Sequence, residues 1–531
     1  MNHRIARLTG MLVLLLSGAH ISHAQGIAGA RQVCDNGQAA GYACSNVDLI
    51  SMMERSQLTV DPVQTDPFGN VIPPDFEMND IWGWKHAETG RSFLLVGRTD
   101  GAAFVEVTDP YNPVLVGDLL SNYVRTNGSR NVIWRDMKVY RDHAYIVADG
   151  APGHGMQVFD LTQLLSVGQN PVRFTANKVY TGVGSVHNIV INEASGYAFA
   201  VGTGSGGNTC GAGFHMINLA DPANPVFAGC YSHAGTSRNG GGYTHDAHCV
   251  TYAGPDEAYQ GHEICIGSNE QSVLIGDVTD KANPRTVSIG RYPATAYTHQ
   301  GWLSEDHRFY FQGDELDELQ NTVSGTRTLV WDLEDLDDPQ MIAEYVAPRK
   351  TIDHNMYVRG NLLFQSQYVD GLRIVDISPP GALNEVGFFD THPADLTVWD
   401  GSWSNYPFLD DNMVAASSSV DGLFILQPAS SLVSRVEQAE ALPEQVSLFS
   451  VYPNPFQDFG QLEVSVTTTG MVRIEVVDLL GRTVNRPFEG TLRAGEIHRQ
   501  AISAGDLAPG VYLVRISGNG FSVTHRVLKT R

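Results

Sequence analysis

The stretch DGLRIVDISPPGALNEVGFFD, Asp370–Asp390, contains the unit from which most of the chain is built: a strand ending in Val-Asp, a Pro-rich turn and a second strand. Apolar residues alternate with other residues on both sides of the turn, which is the period-two pattern of β-strands. Proline ends one strand and favours a turn, because it has no backbone donor and restricts the residue before it. Similar segments begin at Ala102, Met156, Phe214, Ser272 and Thr328, and a truncated copy begins at Asp421.

The spacing of these copies predicts a repeat architecture. A period of about 40–50 residues is typical of supersecondary units that are stacked or arranged in a ring. Two further strand patterns precede each copy, as in Asp80–His86 and Ser92–Arg98 ahead of the first. Four short strands in each of seven units predict an all-β fold, a seven-bladed β-propeller over residues 79–427. A solenoid is the alternative, but an abrupt stop after the seventh copy favours a closed ring.

The two ends of the repeat region indicate how such a ring would close. The last unit lacks an outermost strand, because DGLFILQP at Asp421 runs directly into a polar segment. VDLISMM, Val47–Met53, lies upstream of the first unit and is available to supply that strand. Joining both ends in one blade removes exposed sheet edges, which promote aggregation. We therefore predict that residues 25–78 form an N-terminal segment with a strand that closes the last blade.

The N-terminus has the pattern of a secretory signal peptide over residues 1–24. Arg4 and Arg7 precede the apolar run MLVLLL, and Ser22-His23-Ala24 fits the small residues of a cleavage site, so the mature chain is expected to begin at Gln25. That run is too short to span a bilayer, and no later stretch reaches the length of a transmembrane helix.

The charge balance of the chain restricts its partners. With 58 acidic and 34 basic residues, the formal net charge is −24. This excess of negative charge disfavours nucleic acid and anionic membrane surfaces as partners. Solubility alone is the simpler explanation of the charge.

The six cysteines of an exported chain predict disulfides. We favour pairing within local segments, because cysteines in one blade reach the short Cα separation that a disulfide requires. The predicted pairs are Cys34 with Cys44, Cys210 with Cys230, and Cys249 with Cys265.

The pattern changes after the repeat region. Residues 428–446 lack strand alternation and are interpreted as a linker. Residues 447–531 contain a compact run of strand patterns, which predicts a small immunoglobulin-like β-sandwich.

Three motifs in this last region carry a resemblance to a known family. They are YPNPF at Tyr452–Phe456, VDLLGR at Val477–Arg482 and LAPGVY at Leu507–Tyr512, followed by Lys529. In order and spacing they resemble the type A sorting domain of the type IX secretion system. The resemblance implies a bacterium of the Bacteroidetes kind, contact with the type IX machinery and export through the periplasm. It also implies removal of this domain, with anchoring to lipopolysaccharide at the outer-membrane surface or release to the outside.

The repeat region resembles the choice-of-anchor B family, whose propeller blades carry LVIVD-type repeats. The resemblance covers residues 34–427 and depends on Trp82–Trp84, Trp134–Asp136, Arg373–Ser378 and Asp314–Glu318. It implies a fold and a surface location but brings no established reaction.

The residues that open the innermost strand of each blade are the first candidates for chemistry, since in a propeller these strand starts converge at one mouth of the central channel. The aligned positions are Asp136, His187, His245 with Asp246, His299, His354 with Asp353, and Asp400. Imidazoles and carboxylates bind zinc and other transition metals, or calcium where oxygen dominates. We predict one divalent metal or ligand site formed by these residues, with Asp400 left outside it. The alternative is that they brace the ring by hydrogen bonds between blades.

A second candidate site lies in the turns that follow the second strand of each blade, on the same predicted face. The sequence DELDE offers Asp314, Glu315, Asp317 and Glu318 as oxygen donors for a cation such as calcium. It does not match the EF-hand pattern, and an exposed acidic turn is the alternative.

Three functions are compatible with these observations, since propellers support unrelated kinds of work. The favoured hypothesis is a surface binding module that recognises a glycan, peptide, protein or metal. The second is a metal-dependent hydrolase or oxidoreductase, and the third is a scaffold. No Gly-x-Ser-x-Gly motif occurs and the cysteines are assigned to disulfides, so no catalytic residue is identified.

Overall fold

The structure is a computed structural model. It describes residues 26–61, 64–66, 72, 74–393, 399–432, 446–452, 459–477, 482–503, 507, 510–518 and 521–529. The predicted signal peptide, most of the predicted linker, and the sorting-motif residues 453–456, 478–481 and 508–509 lie outside the described residues.

The chain forms short β-strands because β-branched and aromatic residues alternate between turns rich in Gly, Pro, Asn and Asp. The strands of the first half are β1 (Gln38–Ala39), β2 (Tyr42–Ser45), β3 (Val47–Glu54), β4 (Met78–Lys85), β5 (Ser92–Arg98), β6 (Gly101–Glu106), β7 (Val114–Leu120), β8 (Arg135–Tyr140), β9 (His143–Ala148), β10 (Met156–Asp160), β11 (Val172–Phe174), β12 (Lys178–Tyr180), β13 (Val183–Ser185), β14 (Asn188–Asn192), β15 (Tyr197–Val201), β16 (Ser205–Gly207), β17 (Phe214–Asn218) and β18 (Val226–Tyr231).

The remaining strands before the linker are β19 (Asp246–Thr251), β20 (Glu263–Ser268), β21 (Val273–Asp277), β22 (Arg285–Gly290), β23 (Thr298–Leu303), β24 (Phe309–Asp314), β25 (Arg327–Asp332), β26 (Gln340–Val346), β27 (Met356–Arg359), β28 (Leu362–Ser366), β29 (Leu372–Asp376), β30 (Asn384–Phe389), β31 (Ser402–Tyr406), β32 (Val414–Ser418) and β33 (Gly422–Pro428). The C-terminal strands are β34 (Val446–Tyr452), β35 (Phe459–Val466), β36 (Gly470–Val477), β37 (Thr483–Leu492), β38 (His498–Ser503), β39 (Gly510–Gly518) and β40 (Phe521–Lys529). Short 3₁₀ turns cover Arg55–Gln57, Leu161–Ser166, Cys210–Ala212, Glu257–Tyr259 and Asp410–Asn412.

In the described part of the repeat region, seven sheets have an antiparallel core of four strands. These cores are β4-β5-β6-β7, β8-β9-β10-β12, β14-β15-β17-β18, β19-β20-β21-β22, β23-β24-β25-β26, β27-β28-β29-β30 and β31-β32-β33-β3. Strand β11 extends the first sheet, β2 and β1 extend the sixth, and β13 pairs with β16 separately. The fold is therefore all-β and propeller-like, as the repeats predict.

The first strands of successive sheets form a closed cycle of contacts. Strand β4 contacts β8, the contacts continue through β14, β19, β23 and β27 to β31, and β31 contacts β4 again. The last sheet joins the two ends of the region, because β3 pairs antiparallel with β33 from Val47↔Pro428 to Glu54↔Gly422. The segment Val47–Met53, predicted to close the last blade, lies within β3.

Apolar side chains fill the space between neighbouring sheets. Between the last and the first sheet, Ile50, Ile81, Leu94 and Ile425 belong to one cluster, and none of them is accessible to solvent. Burying a side chain of this size stabilises the fold by about 1.5–3 kcal/mol. This packing fixes the first strand of each sheet and therefore the side chains that open it.

The three disulfides follow the predicted local pairing. Cys34–Cys44, Cys210–Cys230 and Cys249–Cys265 have Cα separations of 6.0, 5.1 and 4.0 Å. No free cysteine remains among the described residues.

The C-terminal strands form two further sheets, β34-β35-β38 and β37-β36-β39-β40. Leu462, Ile474, Val514 and Ile516 are buried in their common apolar cluster. Pro428 ends β33 and Val446 starts β34, so strand structure reaches the first and last residues of the predicted linker. None of the helices in the described parts of the chain has the length and apolar character needed to cross a membrane.

Candidate functional site

Four predicted site histidines form a continuous arc, because each lies at the start of a first strand. His187, His245 and His354 come one or two residues before β14, β19 and β27, and His299 is the second residue of β23. Ring centroids of successive histidines are 4.3, 4.3 and 4.5 Å apart. The structure thus brings the four imidazoles together, as the aligned positions predict.

Hydrogen bonds hold three of these rings by Nδ1. In His245, Nδ1 donates to the carbonyl oxygen of His299 over 3.0 Å, and in His354 it donates to the carbonyl oxygen of Trp403. Nδ1 of His187 donates to Asp149 Oδ2 over 3.0 Å. With the proton on Nδ1, the lone pair of Nε2 is free to coordinate an ion.

Two of the four imidazoles meet a carboxylate that the sequence assigned to the other candidate site. Glu315 lies 3.7 Å from Nε2 of His299 through Oε2, and 3.7 Å from Nε2 of His354 through Oε1. The three ligand atoms all lie within 4.8 Å of one another. Tyr368 donates its hydroxyl to Glu315 Oε1 over 3.1 Å and so fixes the carboxylate.

Burial sets the protonation of this group. It lowers the pKa of His354 to about 3 and that of His299 well below its usual range. It raises the pKa of the Glu315 carboxyl to about 8. Both shifts disfavour the charged forms. The imidazoles are therefore neutral at neutral pH, which is the form that binds metals, whereas the Glu315 carboxyl keeps its proton and would release it on binding a cation.

Asp136 and Asp246 lie apart from the three-residue group. Asp136 Oδ2 accepts from the backbone N–H of Ile189 over 2.7 Å, and its Oδ1 accepts from Lys138 Nζ over 2.6 Å. Lys138 Nζ also lies 3.8 Å from Asp80. Burial together with the charge of Asp136 raises the pKa of Asp246 to about 7. Asp136 and Asp246 belong to a cluster around Lys138. This cluster lies one position further along the first strands than the imidazoles.

The acidic residues of the DELDE segment have different partners. Asp314 accepts from Tyr292 Oη and from the backbone N–H of Ala296, each over 2.8 Å, which braces the turn before β23. Asp317 Oδ2 accepts from Arg327 Nε over 2.7 Å, and Glu318 is completely buried. The segment is therefore not an exposed acidic turn, and within it only Glu315 reaches the imidazoles.

The two remaining aligned positions, Asp353 and Asp400, do not belong to the group formed by His299, Glu315 and His354. The carboxylate of Asp353 packs against Gly313, where a Cβ atom would come within 2.0 Å of Asp353 Oδ2. Strand β31 opens at Ser402, so Asp400 precedes it.

Aromatic side chains surround the imidazole arc, and sequence reasoning did not assign them to the site. The ring of Tyr297 lies 5.1 Å from that of His245, and the ring of Trp403 lies 4.8 Å from that of His354. Trp134, 5.9 Å from His187, is 42% exposed, and Trp399 is 47% exposed. The available signal was their position, since Trp134 and Trp403 stand immediately before or just inside a first strand.

Further along the same strands, aromatic rings lie against one another. Trp302 stacks on His248 at 3.8 Å and contacts Tyr357 at 5.0 Å, and Tyr357 contacts Trp82 at 5.9 Å. His248 Nδ1 accepts from the backbone N–H of Leu303, so this imidazole has a separate role. The imidazole arc is thus flanked by polar and aromatic side chains at the starts of the first strands. A second layer of aromatic rings lies further along the same strands.

Comparison with known families identifies the C-terminal region. Residues 450–530 match the family described as the secretion system C-terminal sorting domain. The match confirms the predicted location: it indicates export to the cell surface or secretion in Bacteroidetes. No curated protein matches the chain.

Three solved structures illustrate a distant similarity to the chain. PorZ, an essential bacterial surface component of the type IX secretion system of Porphyromonas gingivalis, is 14% identical with a TM-score of 0.39, over 92% of this chain and 64% of PorZ. The chain thus spans less than two thirds of PorZ. A Lactobacillus plantarum protein is 12% identical over 80% of this chain and 100% of that one, with a TM-score of 0.41. The C-terminal WD40 domain of Sif2 is 9% identical over 73% and 91%, with a TM-score of 0.40. Values this low identify no function.

Proposed function

We propose that the chain is an exported surface binding protein whose channel mouth holds one divalent metal ion between His299, Glu315 and His354. The observation that carries this proposal is the convergence of three ligand atoms, from two buried histidines and the partly buried Glu315, within 4.8 Å of one another. Zinc and other first-row transition metals are bound at about 2.0–2.2 Å by imidazole nitrogen and carboxylate oxygen, so a small contraction of the group would complete the bonds.

The donor set favours zinc or another transition metal over calcium at this position. Two imidazole nitrogens and one carboxylate oxygen match the preference of these metals, whereas calcium takes oxygen ligands only. His245 supports the site by donating to the carbonyl oxygen of His299, one of the proposed ligand residues. His187 continues the arc beside His245 and is held by Asp149.

The surroundings of the proposed ion favour recognition of an external ligand. Three protein ligands leave a coordination position to be filled by water or by a ligand atom. The exposed rings of Trp134, next to His187, and Trp399, next to Tyr368, offer flat apolar faces along the arc, and Tyr297 adds a third ring next to His245. A binding site with a few fixed polar groups and aromatic walls is suited to a sugar ring or a peptide side chain.

The proposal includes a specific architecture for the repeat region. We assign the seven sheets to the blades of a β-propeller, and the assignment is supported by the cyclic contacts of the first strands and by the closure of β3 on β33. We also propose membership of the choice-of-anchor B family, supported by the repeat motifs. The C-terminal sheets are assigned to an immunoglobulin-like sandwich that is recognised by the type IX machinery.

A metal-dependent hydrolase is the second candidate, favoured by one specific observation. Two histidines and one glutamate with an open position form the ligand set of several catalytic zinc centres, in which the metal lowers the pKa of bound water. His187, at the end of the arc, is oriented by its contact with Asp149 and offers a further imidazole for the reaction.

Elemental analysis of the purified full-length chain tests the metal site. We expect one equivalent of a transition metal or zinc, and its loss in His299→Ala, His354→Ala and Glu315→Gln. His262→Ala is a matched control, because His262 bonds to Asp277 outside the arc. A metal-free wild-type protein, or full metal content in His299→Ala, would exclude the site.

The same preparations separate the two candidate functions. Metal-dependent retention on a glycan or peptide array without turnover would support the binding protein. Metal-dependent hydrolysis of an ester, phosphate or peptide substrate, lost in Glu315→Gln, would instead support the enzyme.

A further inference from the structure

A group of buried carboxyl oxygens next to the proposed metal ligands lacks hydrogen-bond partners. Both oxygens of Glu318, both oxygens of Asp353 and Oδ1 of Asp317 are unpartnered. The exposed fractions of Asp317, Glu318 and Asp353 are 0%, 0% and 1%. An ionised carboxylate removed from water without a partner is costly, and buried polar groups in native proteins are nearly always satisfied.

These carboxyl groups are neighbours. Asp353 Oδ2 lies against Gly313, at the end of the strand that leads into Asp317 and Glu318. After burial, the charges of Asp353 and Asp317 are the next causes that raise the pKa of Glu318. The charged groups facing Asp353 are themselves acidic: Asp317, Asp314 and Glu315. Two carboxylates cannot hydrogen-bond to each other, so the cluster requires either a shared proton or a cation.

One guanidinium compensates this charge in part. Arg327 donates to Asp317 Oδ2, and it also lies 3.8 Å from Asp314 and 3.3 Å from Glu344. Its charge is thus distributed over several acidic groups, and it leaves the oxygens of Glu318 and Asp353 unpartnered. The cluster has more acidic than basic groups, and its unpartnered oxygens offer the lone pairs that a cation requires.

We propose that Asp317, Glu318 and Asp353 bind a second cation, calcium, separately from the ion at the imidazole arc. The donors are all carboxylate oxygens, which suit a hard cation and exclude a preference for zinc. Their oxygens do not all lie within 4.8 Å of one another. Calcium bonds of about 2.3–2.6 Å keep all ligand atoms of one ion within about 5 Å of one another, so binding would draw the three carboxyl groups together, and water would fill the remaining ligand positions.

The position of the cluster gives the second cation a defined task. Asp317 and Glu318 follow Glu315 by two and three residues, and Asp353 directly precedes His354. A calcium ion between them would fasten the Glu315 segment to the start of β27. It would thereby fix the spacing between Glu315 and His354, two of the three proposed ligands of the first ion.

Calcium titration of the EGTA-treated full-length chain tests this proposal. We expect calorimetry with calcium chloride to show one equivalent bound, and thermal unfolding to show a Tm that rises with calcium and falls again with EGTA. Glu318→Gln and Asp353→Asn keep the side-chain shape and should each abolish the Tm shift. Asp337→Asn is the matched control, because Asp337 belongs to the partly exposed acidic group Asp256, Asp335 and Asp337, and it should keep the full shift.

Variants of the first site make the two sites distinguishable. His299→Ala should keep the calcium response, and Glu318→Gln should keep the transition metal. The proposal is overturned by a wild-type protein without a calcium response, by an unchanged response in Glu318→Gln, or by loss of the response in His299→Ala. A Glu318→Gln variant more stable than a calcium-insensitive wild type would show that Asp317 and Glu318 share a proton instead.

Discussion

At the scale of single residues, His154 shows how burial determines the charge of a side chain. It has no solvent exposure; its Nδ1 donates to the carbonyl oxygen of Gly155 over 3.0 Å, and its Nε2 accepts from Arg135 over 3.1 Å. Burial, with the Arg135 charge as a second cause, lowers the pKa of His154 to about 3. A proton on this ring would place two cations in contact away from water.

This arrangement predicts a loss of stability in acid. The folded-state pKa of His154 lies below the unfolded value of about 6.5, so the unfolded chain takes up the proton first. The stabilisation is complete above pH 6.5 and is lost as the pH falls towards 3. At about 1.4 kcal/mol per pH unit, this side chain reduces the free energy of unfolding by about 2 kcal/mol between pH 6 and pH 4.5.

Denaturant unfolding of His154→Gln at both pH values checks the sign and the size. The free energy of unfolding of the variant should depend less steeply on pH, by the equivalent of about one proton, whatever the variant's stability at neutral pH. His392→Gln is the control, because the hydrogen bond to Asp421 raises the pKa of His392 and both states are protonated in this range. An unchanged slope in His154→Gln would contradict the prediction.

At the scale of elements, Cys249 and Cys265 are directly opposite each other on β19 and β20. Their disulfide has a sequence separation of 16 residues. In the chain-entropy model a loop of this length contributes about 3 kcal/mol. The double variant Cys249→Ala/Cys265→Ala should lower the free energy of unfolding by this order, measured against the wild type without reductant. If the two proteins unfold at the same denaturant concentration, the disulfide does not contribute as the model requires.

The strand that closes the last sheet offers a second test at this scale. Ile50 of β3 is completely buried against the first and last sheets. Ile50→Ala should cost about 2–5 kcal/mol, because it removes buried methyl groups and leaves a cavity. Val33→Ala in the same N-terminal segment is a matched control with 60% exposure, and it should change stability by less than about 0.5 kcal/mol. Equal effects of the two substitutions on the unfolding midpoint would show that β3 does not close the ring.

The elements were predictable from the sequence because their signals are local. Strand alternation and Pro-containing turns repeat along the chain, and the same position in successive units carries His187, His245, His299 and His354. The partner of these imidazoles was not predictable, since the direction of Glu315 in its turn depends on contacts with Tyr368, distant in sequence.

The sequence could not show which acidic residues lie beside the imidazoles, because this depends on the strand register. Asp246 directly follows His245, and successive residues of a strand face opposite sides, so one residue of offset changes the surroundings of a side chain completely. Asp353 precedes His354 and meets the buried carboxylates for the same reason. Alignment of the repeat units identifies how far along the strands the site lies. It does not show which side of the sheet each side chain faces.

At the scale of the whole molecule, the C-terminal domain predicts the route of the chain. Residues 450–530 match the sorting-domain family, and the assignment depends on this match and not on the charge of the chain. Deletion of Val446–Arg531 should leave the repeat region in the periplasm of a native host, measured by protease accessibility on intact cells. A His299→Ala chain with its sorting domain intact should still reach the surface. Surface exposure of the truncated chain would contradict the assignment.

The pairing of β3 with β33 has a consequence for the order of folding. The two strands are separated by most of the repeat region, so the start of the ring is synthesised and translocated long before its partner arrives. Contacts between such distant segments form late and slowly. The ring can close only when β33 has entered the same compartment as β3. Until then, the edge of β3 that pairs with β33 has no partner strand. A chain interrupted before Gly422 would lack the partner of β3 and would keep an open, aggregation-prone strand edge.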